Sequence, residues 1–207
     1  VVLVNVPFAI AGYDGWLASF EFQQLRRVDI TTNSIWYWGF RPWSEPANLE
    51  FQAVVDRLSP VLVLVSFTVA LAVGWHRWRR EGTYPWIGVS AAMLCGFLLL
   101  HKVHSPQYTL WLLPFFVLLR IRTAWWVVAM VVDVVAYVSI FRWLYDINYG
   151  DPSADAARIV MMVTIYARAA LWAALVVVFA RSDGAAEQPR AAEKLSQPIP
   201  NLTPSEA

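Results

Sequence analysis

Five long apolar runs divide the chain, and short polar segments separate them. The runs cover residues 58–75, 85–100, 108–119, 124–143 and 159–180. A helix that crosses a membrane needs about 20 mainly apolar residues, so the pattern predicts about five full spans. The third run is short and contains Pro114, which favours a broken or tilted helix. The sequence therefore predicts an all-α, polytopic transmembrane helix bundle.

The two ends of the chain differ from these runs. Residues 1–12 are apolar but too few to cross a membrane. We expect them to be the end of a transmembrane helix whose first part precedes Val1, so that the chain is the C-terminal part of a larger protein. Residues 181–207 have few apolar side chains and much Ala, Pro, Glu and Ser, a composition that predicts a disordered tail.

Basic residues follow the first, third and fifth runs, as HRWRR at 76–80, RIR at 120–122 and Arg181. Cytoplasmic loops of membrane proteins carry an excess of Lys and Arg. The three basic segments share one side only if the runs 85–100 and 108–119 are separate crossings. The tail is then cytoplasmic, while the segments 101–107 and 13–57 face outward.

The outward segment 13–57 carries a predicted interfacial helix. Its apolar side chains fall on one side, as in helices that lie in the plane of the membrane surface: Trp16, Leu17, Phe20 and Leu25. The stretch SIWYWGFRPW, at 34–43, adds aromatic rings that suit the headgroup level or stack on a sugar. The transmembrane bundle itself is expected over residues 58–180.

Composition agrees with a membrane protein, because 58% of the residues are hydrophobic and twelve are Trp. The formal net charge is only +1, so no nucleic-acid partner is expected. The single Cys95 forms no intrachain disulfide. His101 and His104 are three residues apart but lack nearby carboxylates, so no metal and no cofactor are expected.

A polar cluster, HKVHSPQY at 101–108, lies between the second and third runs. It offers two residues that can present positive charge and three neutral hydrogen-bond donors: Lys102, His104, Ser105, Gln107 and Tyr108. Arg26 and Arg27, in the other outward loop, would help them to hold a phosphate, for which Arg supplies a bidentate fork. The alternative is an ordinary inter-helix loop with a snorkelling Lys and an interfacial His.

Two charges lie near the middle of apolar runs, Asp133 in the fourth and Arg168 in the fifth. Antiparallel neighbouring helices would place them at similar depth, where an unpaired charge costs several kcal/mol. We therefore predict an ion pair that joins the two helices. The alternative is that the two charges form the polar wall of a substrate cavity.

Among the outward acids, Asp29 alone lies between basic and aromatic residues, in RRVDITTNSIWYW. Together with Trp36 it is a candidate for sugar binding. Most of the other outward acids, a group that includes Asp56 and Asp146, are expected to be solvated loop charges.

Two motifs carry a resemblance to a known family. KVHSPQYTLWLLPFFVLL, at 102–119, resembles the K-V-x-S-P-Q-Y-x-L-W-L-L-P segment of bacterial integral-membrane glycosyltransferases of family 87. NVPFAIAGYDGWLASFEFQQLRRVDITTNSIWYW, at 5–38, resembles their outward segment, N-x-P-F-A … G-W … F … R … D … S-x-W-Y. The resemblance covers about residues 5–145. It implies a GT-C fold, of which this chain is the C-terminal part, in the plasma membrane of a bacterium.

The resemblance also implies a reaction. Characterised members transfer mannose, with inversion, from polyprenyl-phosphate mannose to glycolipid or lipoglycan acceptors on the outer face of the membrane. The residues that would contact the donor are Lys102, His104, Ser105, Gln107 and Tyr108 by motif, with Arg26, Asp29 and Trp36 as weaker candidates. In GT-C enzymes the carboxylate base lies in the first outward loop, ahead of Val1, so we expect this chain alone to be inactive. His101 departs from the family, where an Asn or a similar residue commonly precedes the Lys.

Two other classes of protein fit the pattern. A transporter of a lipid or small solute would also place short, Pro-broken segments around a polar cluster. It should show a matching broken pair elsewhere and a polar path towards the cytoplasm, whereas a transferase should be sealed below the cluster. A non-catalytic membrane scaffold would lose nothing when the cluster is mutated.

Overall fold

The computed structural model describes residues 2–41, 43–150 and 153–184, and every regular element in these ranges is a helix. In chain order they are α1 (Val2–Ala11), α2 (Tyr13–Leu25), α3 (Ile35–Trp38), α4 (Leu49–Glu81), α5 (Trp86–Leu100), a 3-10 helix (Pro106–Leu112) that continues into α6 (Leu113–Leu118), α7 (Thr123–Tyr149) and α8 (Ala154–Arg181). The all-α prediction is confirmed for this part of the chain. Most of the predicted tail, from residue 185 onward, lies outside the described residues.

Three helices are long and apolar enough to cross a membrane, namely α4, α7 and α8. The second and third apolar runs form shorter helices, α5 with 15 residues and the stretch Gln107–Leu118. At 1.5 Å per residue α5 is about 22 Å long, less than the ~30 Å hydrocarbon thickness. Five full spans and a GT-C fold therefore remain predictions.

The predicted interfacial helix corresponds to α2. It begins at Tyr13, so Asp14 and Gly15 lie in its first turn. It packs against α1, and the indole of Trp16 donates a hydrogen bond to Asn5 Oδ1 at 3.2 Å. Leu25 is 78% exposed. How α2 lies relative to a membrane surface stays a prediction.

The long helix α4 extends beyond its apolar run at both ends. It begins at Leu49 because the side chain of Asn48 caps it, accepting a hydrogen bond from the Phe51 amide at 3.1 Å. It ends at Glu81, and the next residue, Gly82, takes the left-handed conformation (φ 75°) that glycine adopts without strain. The nine residues that precede the apolar run bring Asp56 onto the same helix.

Helices α5 and α8 approach each other closely at the end of the bundle that holds the basic residues. A Cβ on Gly88 would lie 2.6 Å from the Phe179 carbonyl oxygen, so only glycine permits this approach. Arg77, in α4, donates to the carbonyl oxygens of Ala180 and Ser182, both at 3.1 Å.

The RIR segment lies at that end too, because the Arg120 amide donates to the Asp183 carbonyl at 3.1 Å. The HRWRR, RIR and Arg181 segments thus share one end of the bundle, which we call the basic end. This is the arrangement that separate legs 85–100 and 108–119 require. Which side of a membrane the basic end faces is a prediction.

Helix α5 leaves the basic end, and the chain returns to it through the 3-10 helix and α6. The resulting hairpin turns at residues 101–105, its tip, where His104 lies against Trp172 of α8 with ring centroids 4.6 Å apart. Trp172 is nine residues before the end of α8, or about 14 Å along the helix axis. The polar tip therefore lies well inside the bundle, where irregular backbone has to be buried in protein.

The last turn of α7 contains a buried acid. Asp146 is 0% exposed and accepts hydrogen bonds from Arg142 Nε at 3.0 Å and from Ser153 Oγ at 3.1 Å. Asp146 is thus an exception to the expectation that most outward acids are solvated, because the ends of α7 and α8 close over it.

Candidate functional site

The loop that precedes α4 folds back onto the bundle and covers the hairpin tip. Residues 28–41 and 43–45, which we call the roof segment, supply aromatic side chains to a buried cluster shared with α4, α7 and α8: Val28, Trp36, Tyr37, Trp38, Val55, Ile140, Trp143, Met161 and Ile165. Trp38 packs edge-on against Trp143 at 5.4 Å, and the Tyr166 hydroxyl donates to the Trp38 carbonyl at 3.0 Å. The roof segment is thus part of the core.

Three hydrogen bonds fasten the tip in place. The His104 amide donates to the Thr32 carbonyl of the roof segment at 2.8 Å. The Leu100 carbonyl, at the end of α5, accepts from Trp36 Nε1 at 2.7 Å and from Ser59 Oγ at 2.8 Å. Trp36, a predicted sugar-binding residue, is 6% exposed and anchors the roof segment to the hairpin.

Lys102 is buried, and its ammonium forms an ion pair with a residue of α4. Its Nζ lies 2.6 Å from Asp56 Oδ1, and the side chains are 9% and 46% exposed respectively. Asp56 is thus exposed, as expected for most outward acids, but it is paired with a buried cation. The early start of α4 places Asp56 beside the tip, which the apolar pattern alone did not show.

His104 is 2% exposed, and neither ring nitrogen has a hydrogen-bond partner in the described part of the chain. Burial, then the charge of Arg168, and then His101 lower the pKa of His104 well below its usual 6.5. The ring is consequently neutral at pH 7. A neutral ring offers one N–H donor and one acceptor nitrogen.

Arg168 and Asp133 form the predicted ion pair, with Nη1 and Oδ1 3.8 Å apart. Asp133 also accepts a hydrogen bond from Thr109 Oγ1, in the 3-10 helix, at 2.8 Å. Arg168 Nη2 donates to the Asn33 carbonyl of the roof segment at 2.9 Å, and its guanidinium lies 5.0 Å from the centroid of the Trp172 ring. The pair thus joins both helices to the roof and the hairpin.

One flank of the tip is open. Ser105 and Tyr108 are half-buried and Gln107 is exposed. Tyr108 stacks on Trp111 with ring centroids 4.5 Å apart, and its ring lies edge-on to His104 at 5.9 Å. These three motif residues therefore lie between buried His104 and the outer surface of the hairpin.

The candidates from the outward loop are bonded within that loop. Arg26 Nη2 donates to Thr31 Oγ1 at 3.2 Å, and Arg27 Nη1 donates to the Pro46 carbonyl at 3.3 Å. Asp29 Oδ1 accepts from the amide and the hydroxyl of Thr31, at 2.7 and 2.6 Å. These hydrogen bonds hold Arg26, Arg27 and Asp29 within their own loop, whereas the indole of Trp36 bonds to the hairpin.

Sequence reasoning missed Asn33. It is buried, it has φ 50°, and its carbonyl binds Arg168. Left-handed backbone is several-fold enriched in Asn, so the stretch TTNS signals a turn, but nothing in the pattern indicates that the turn is buried against a helix.

An apolar core seals the tip from the basic end. It fills the space between α5, α6 and α8 with buried side chains that include Cys95, Leu98, Leu112, Leu175 and Phe179. Of these, Cys95, Leu112, Leu175 and Phe179 are 0% exposed. A polar solute at the tip therefore meets packed hydrocarbon on the side of the basic end.

No family model, curated protein or solved structure matches the chain. The likeness to family 87 glycosyltransferases consequently rests on the two sequence motifs.

Proposed function

We propose that the chain belongs to a membrane-embedded glycosyltransferase that uses a polyprenyl-phosphate sugar, mannose by the resemblance, as its donor. The acceptor is a glycolipid or lipoglycan on the outer face of a bacterial plasma membrane. One observation carries the proposal: a polar hairpin tip with a neutral, unpartnered His104 lies inside an apolar bundle and is open on one flank. Two motifs shared with the family form this tip and the roof above it.

The proposed reaction requires a base and groups that stabilise the departing phosphate. The acceptor hydroxyl oxygen attacks the anomeric carbon, the bond from that carbon to the phosphate oxygen breaks, and polyprenyl phosphate leaves with the electron pair. A carboxylate takes the hydroxyl proton, and hydrogen-bond donors stabilise the departing phosphate. In our proposal, Lys102, His104 and the flank residues perform the second task. We assign no base.

The open flank suits a lipid-linked donor. Beyond Tyr108 the hairpin surface is apolar, with Leu110 55% and Trp111 48% exposed. A prenyl chain lying along this surface would keep its hydrocarbon in the membrane and bring its phosphate to the tip. The proposal also includes a topology: the two legs of the hairpin form two of five membrane segments, and the basic end is cytoplasmic.

A transporter is the competing function. It requires a polar route through the bundle and a second broken helix pair. In the described part of the chain α7 and α8 are each continuous, and the apolar core lies between the tip and the basic end. Both observations favour a site that is sealed on the cytoplasmic side.

Transfer of radiolabelled mannose from polyprenyl-phosphate mannose tests the proposal, in membranes that contain the intact parent protein. We expect Lys102→Ala and His104→Ala each to reduce transfer at unchanged protein level. His76→Ala serves as the matched control, since His76 is exposed near the basic end. Absence of transfer by the unmodified parent would exclude this donor, and normal transfer by both variants would remove the tip from the mechanism.

A further inference from the structure

Unpaired buried polar atoms gather where the roof segment, the hairpin tip and α8 meet. Asn33 Oδ1, both ring nitrogens of His104 and Arg168 Nε have no hydrogen-bond partner among the described residues. Asn33, His104 and Arg168 are each at least 94% buried. Three neighbouring residues of different elements thus hold unused donors and acceptors in one place.

These side chains are held close to one another. His104 and the Arg168 guanidinium both lie against the Trp172 ring, at 4.6 and 5.0 Å. Arg168 binds the backbone of Asn33, and the preceding residue, Thr32, binds the backbone of His104. The three side chains that carry the unpaired atoms are therefore neighbours, linked through Trp172 and two hydrogen bonds to the backbone.

Leaving such groups unpaired is expensive. A buried donor or acceptor without a partner costs about 1–3 kcal/mol, and native proteins contain few of them. A cluster of this kind indicates that something binds there. Guanidinium and imidazole N–H groups, with a cation among them, match the oxygens of a phosphate.

Arg168 is better placed than Lys102 to bind such an oxygen. The Lys102 ammonium is only 2.6 Å from a carboxylate oxygen of Asp56. Arg168 lies 3.8 Å from Asp133, whose Oδ1 already accepts a hydrogen bond from Thr109. A planar guanidinium stacked on Trp172 also presents its N–H groups in a fixed direction.

We propose that Arg168, His104 and Asn33 form a phosphate-binding pocket in which Arg168 is the principal cation, a role that the sequence motifs do not give it. Arg168 Nε and one His104 nitrogen donate to phosphate oxygens, and the backbone carbonyl of Asn33 holds the Arg168 guanidinium in place. That the phosphate belongs to a polyprenyl lipid rests on the proposed function; the phosphate chemistry itself does not.

Histidine ring NMR in nanodiscs tests the pocket. The intact parent protein is used, and His104→Gln identifies the signals of His104. The probes are a polyprenyl monophosphate in the nanodisc and, separately, inorganic phosphate. We expect the ring nitrogen signals of His104 to shift with the lipid probe. A shift with inorganic phosphate as well would mean that the pocket selects the phosphate without its chain.

The variants separate binding from folding. Arg168→Gln alone would leave Asp133 without its cation, so we combine it with Asp133→Asn and use Asp133→Asn alone as the first control. The second control is Arg142→Gln with Asp146→Asn, which removes another ion pair involving α7. We expect affinity for the lipid probe to fall at least tenfold in the Asp133→Asn, Arg168→Gln protein, as loss of a charged hydrogen bond predicts, and to stay within threefold in both controls.

The outcomes distinguish this pocket from the proposed function. Lipid phosphate binding that depends on Arg168, without any sugar transfer by the parent, would support the pocket and refute the transferase. Sugar transfer at the normal rate by the Asp133→Asn, Arg168→Gln protein would refute the pocket and leave the transferase standing. No shift of His104 with either probe would show that water alone satisfies these groups, and it would overturn the proposal.

Discussion

The ion pair between Asp133 and Arg168 should couple α7 to α8 strongly enough to measure. At 3.8 Å and an effective dielectric constant of 20, two unit charges attract by roughly 4 kcal/mol. The Asp133 side chain is 18% exposed, so solvent screens the pair, and we expect a coupling of about 2 kcal/mol between the two residues. Removing one partner should cost more, because it leaves a buried charge without compensation.

A double-mutant cycle with Asp133→Asn and Arg168→Gln isolates that coupling. Thermal unfolding in nanodiscs should show the double variant about 4–8 °C above the melting temperature expected from adding the two single effects, at about 2–4 °C per kcal/mol for a chain of this size. The Asn keeps an oxygen acceptor for Thr109, so that hydrogen bond is not lost in the cycle. Strictly additive single and double effects would show that the two charges do not interact and would refute the pairing.

Three further predictions follow from particular contacts. Gly88→Val should lower the melting temperature by several degrees because its side chain would collide with the Phe179 carbonyl. The same change at Gly15, where a Cβ has open space, should not lower it, because Val has a higher helix propensity than Gly. The lowered pKa of His104 means that the unfolded chain binds its proton first, so stability should fall as pH drops below about 6.5, by at most about 1.4 kcal/mol per pH unit. His104→Gln should flatten that dependence in melting curves recorded from pH 7 to 5. Trp36→Phe keeps the ring but loses the hydrogen bond to the Leu100 carbonyl, so hydrogen exchange should show faster opening of the roof segment and unchanged protection in α7; uniform loss of protection would contradict its role as a local anchor.

The apolar pattern predicted the helices but not how far each extends across the membrane. Long apolar runs specify α4, α7 and α8 because hydrocarbon tolerates no unpaired backbone. The polar residues 101–105 correctly predicted the end of α5. The basic segments correctly predicted that the chain returns through a hairpin to the basic end. Whether that hairpin reaches the far surface depends on what meets its tip, and a pattern of local hydrophobicity does not contain this information.

The environment of the candidate site was predicted only in part. The pair of Asp133 with Arg168 could be predicted because two charges in adjacent apolar runs have few other partners. The burial of Lys102 against Asp56, and of Asn33 against Arg168, depends on contacts across 46 and 135 residues. From the sequence alone, a polar stretch such as TTNS looks like a solvated loop. Its burial depends on a long-range contact that the local pattern does not indicate.

Locating the phosphate of a bound donor tests the central claim most directly. A cryo-electron microscopy structure of the intact parent with a non-hydrolysable polyprenyl-phosphate mannose analogue would do so. We predict phosphate density at the hairpin tip, within hydrogen-bond distance of His104 and Arg168. Density instead in the apolar groove at the basic end, which is lined by Phe116, Arg122 and Trp126 among others, would contradict both the proposed site and its assignment to the outer face.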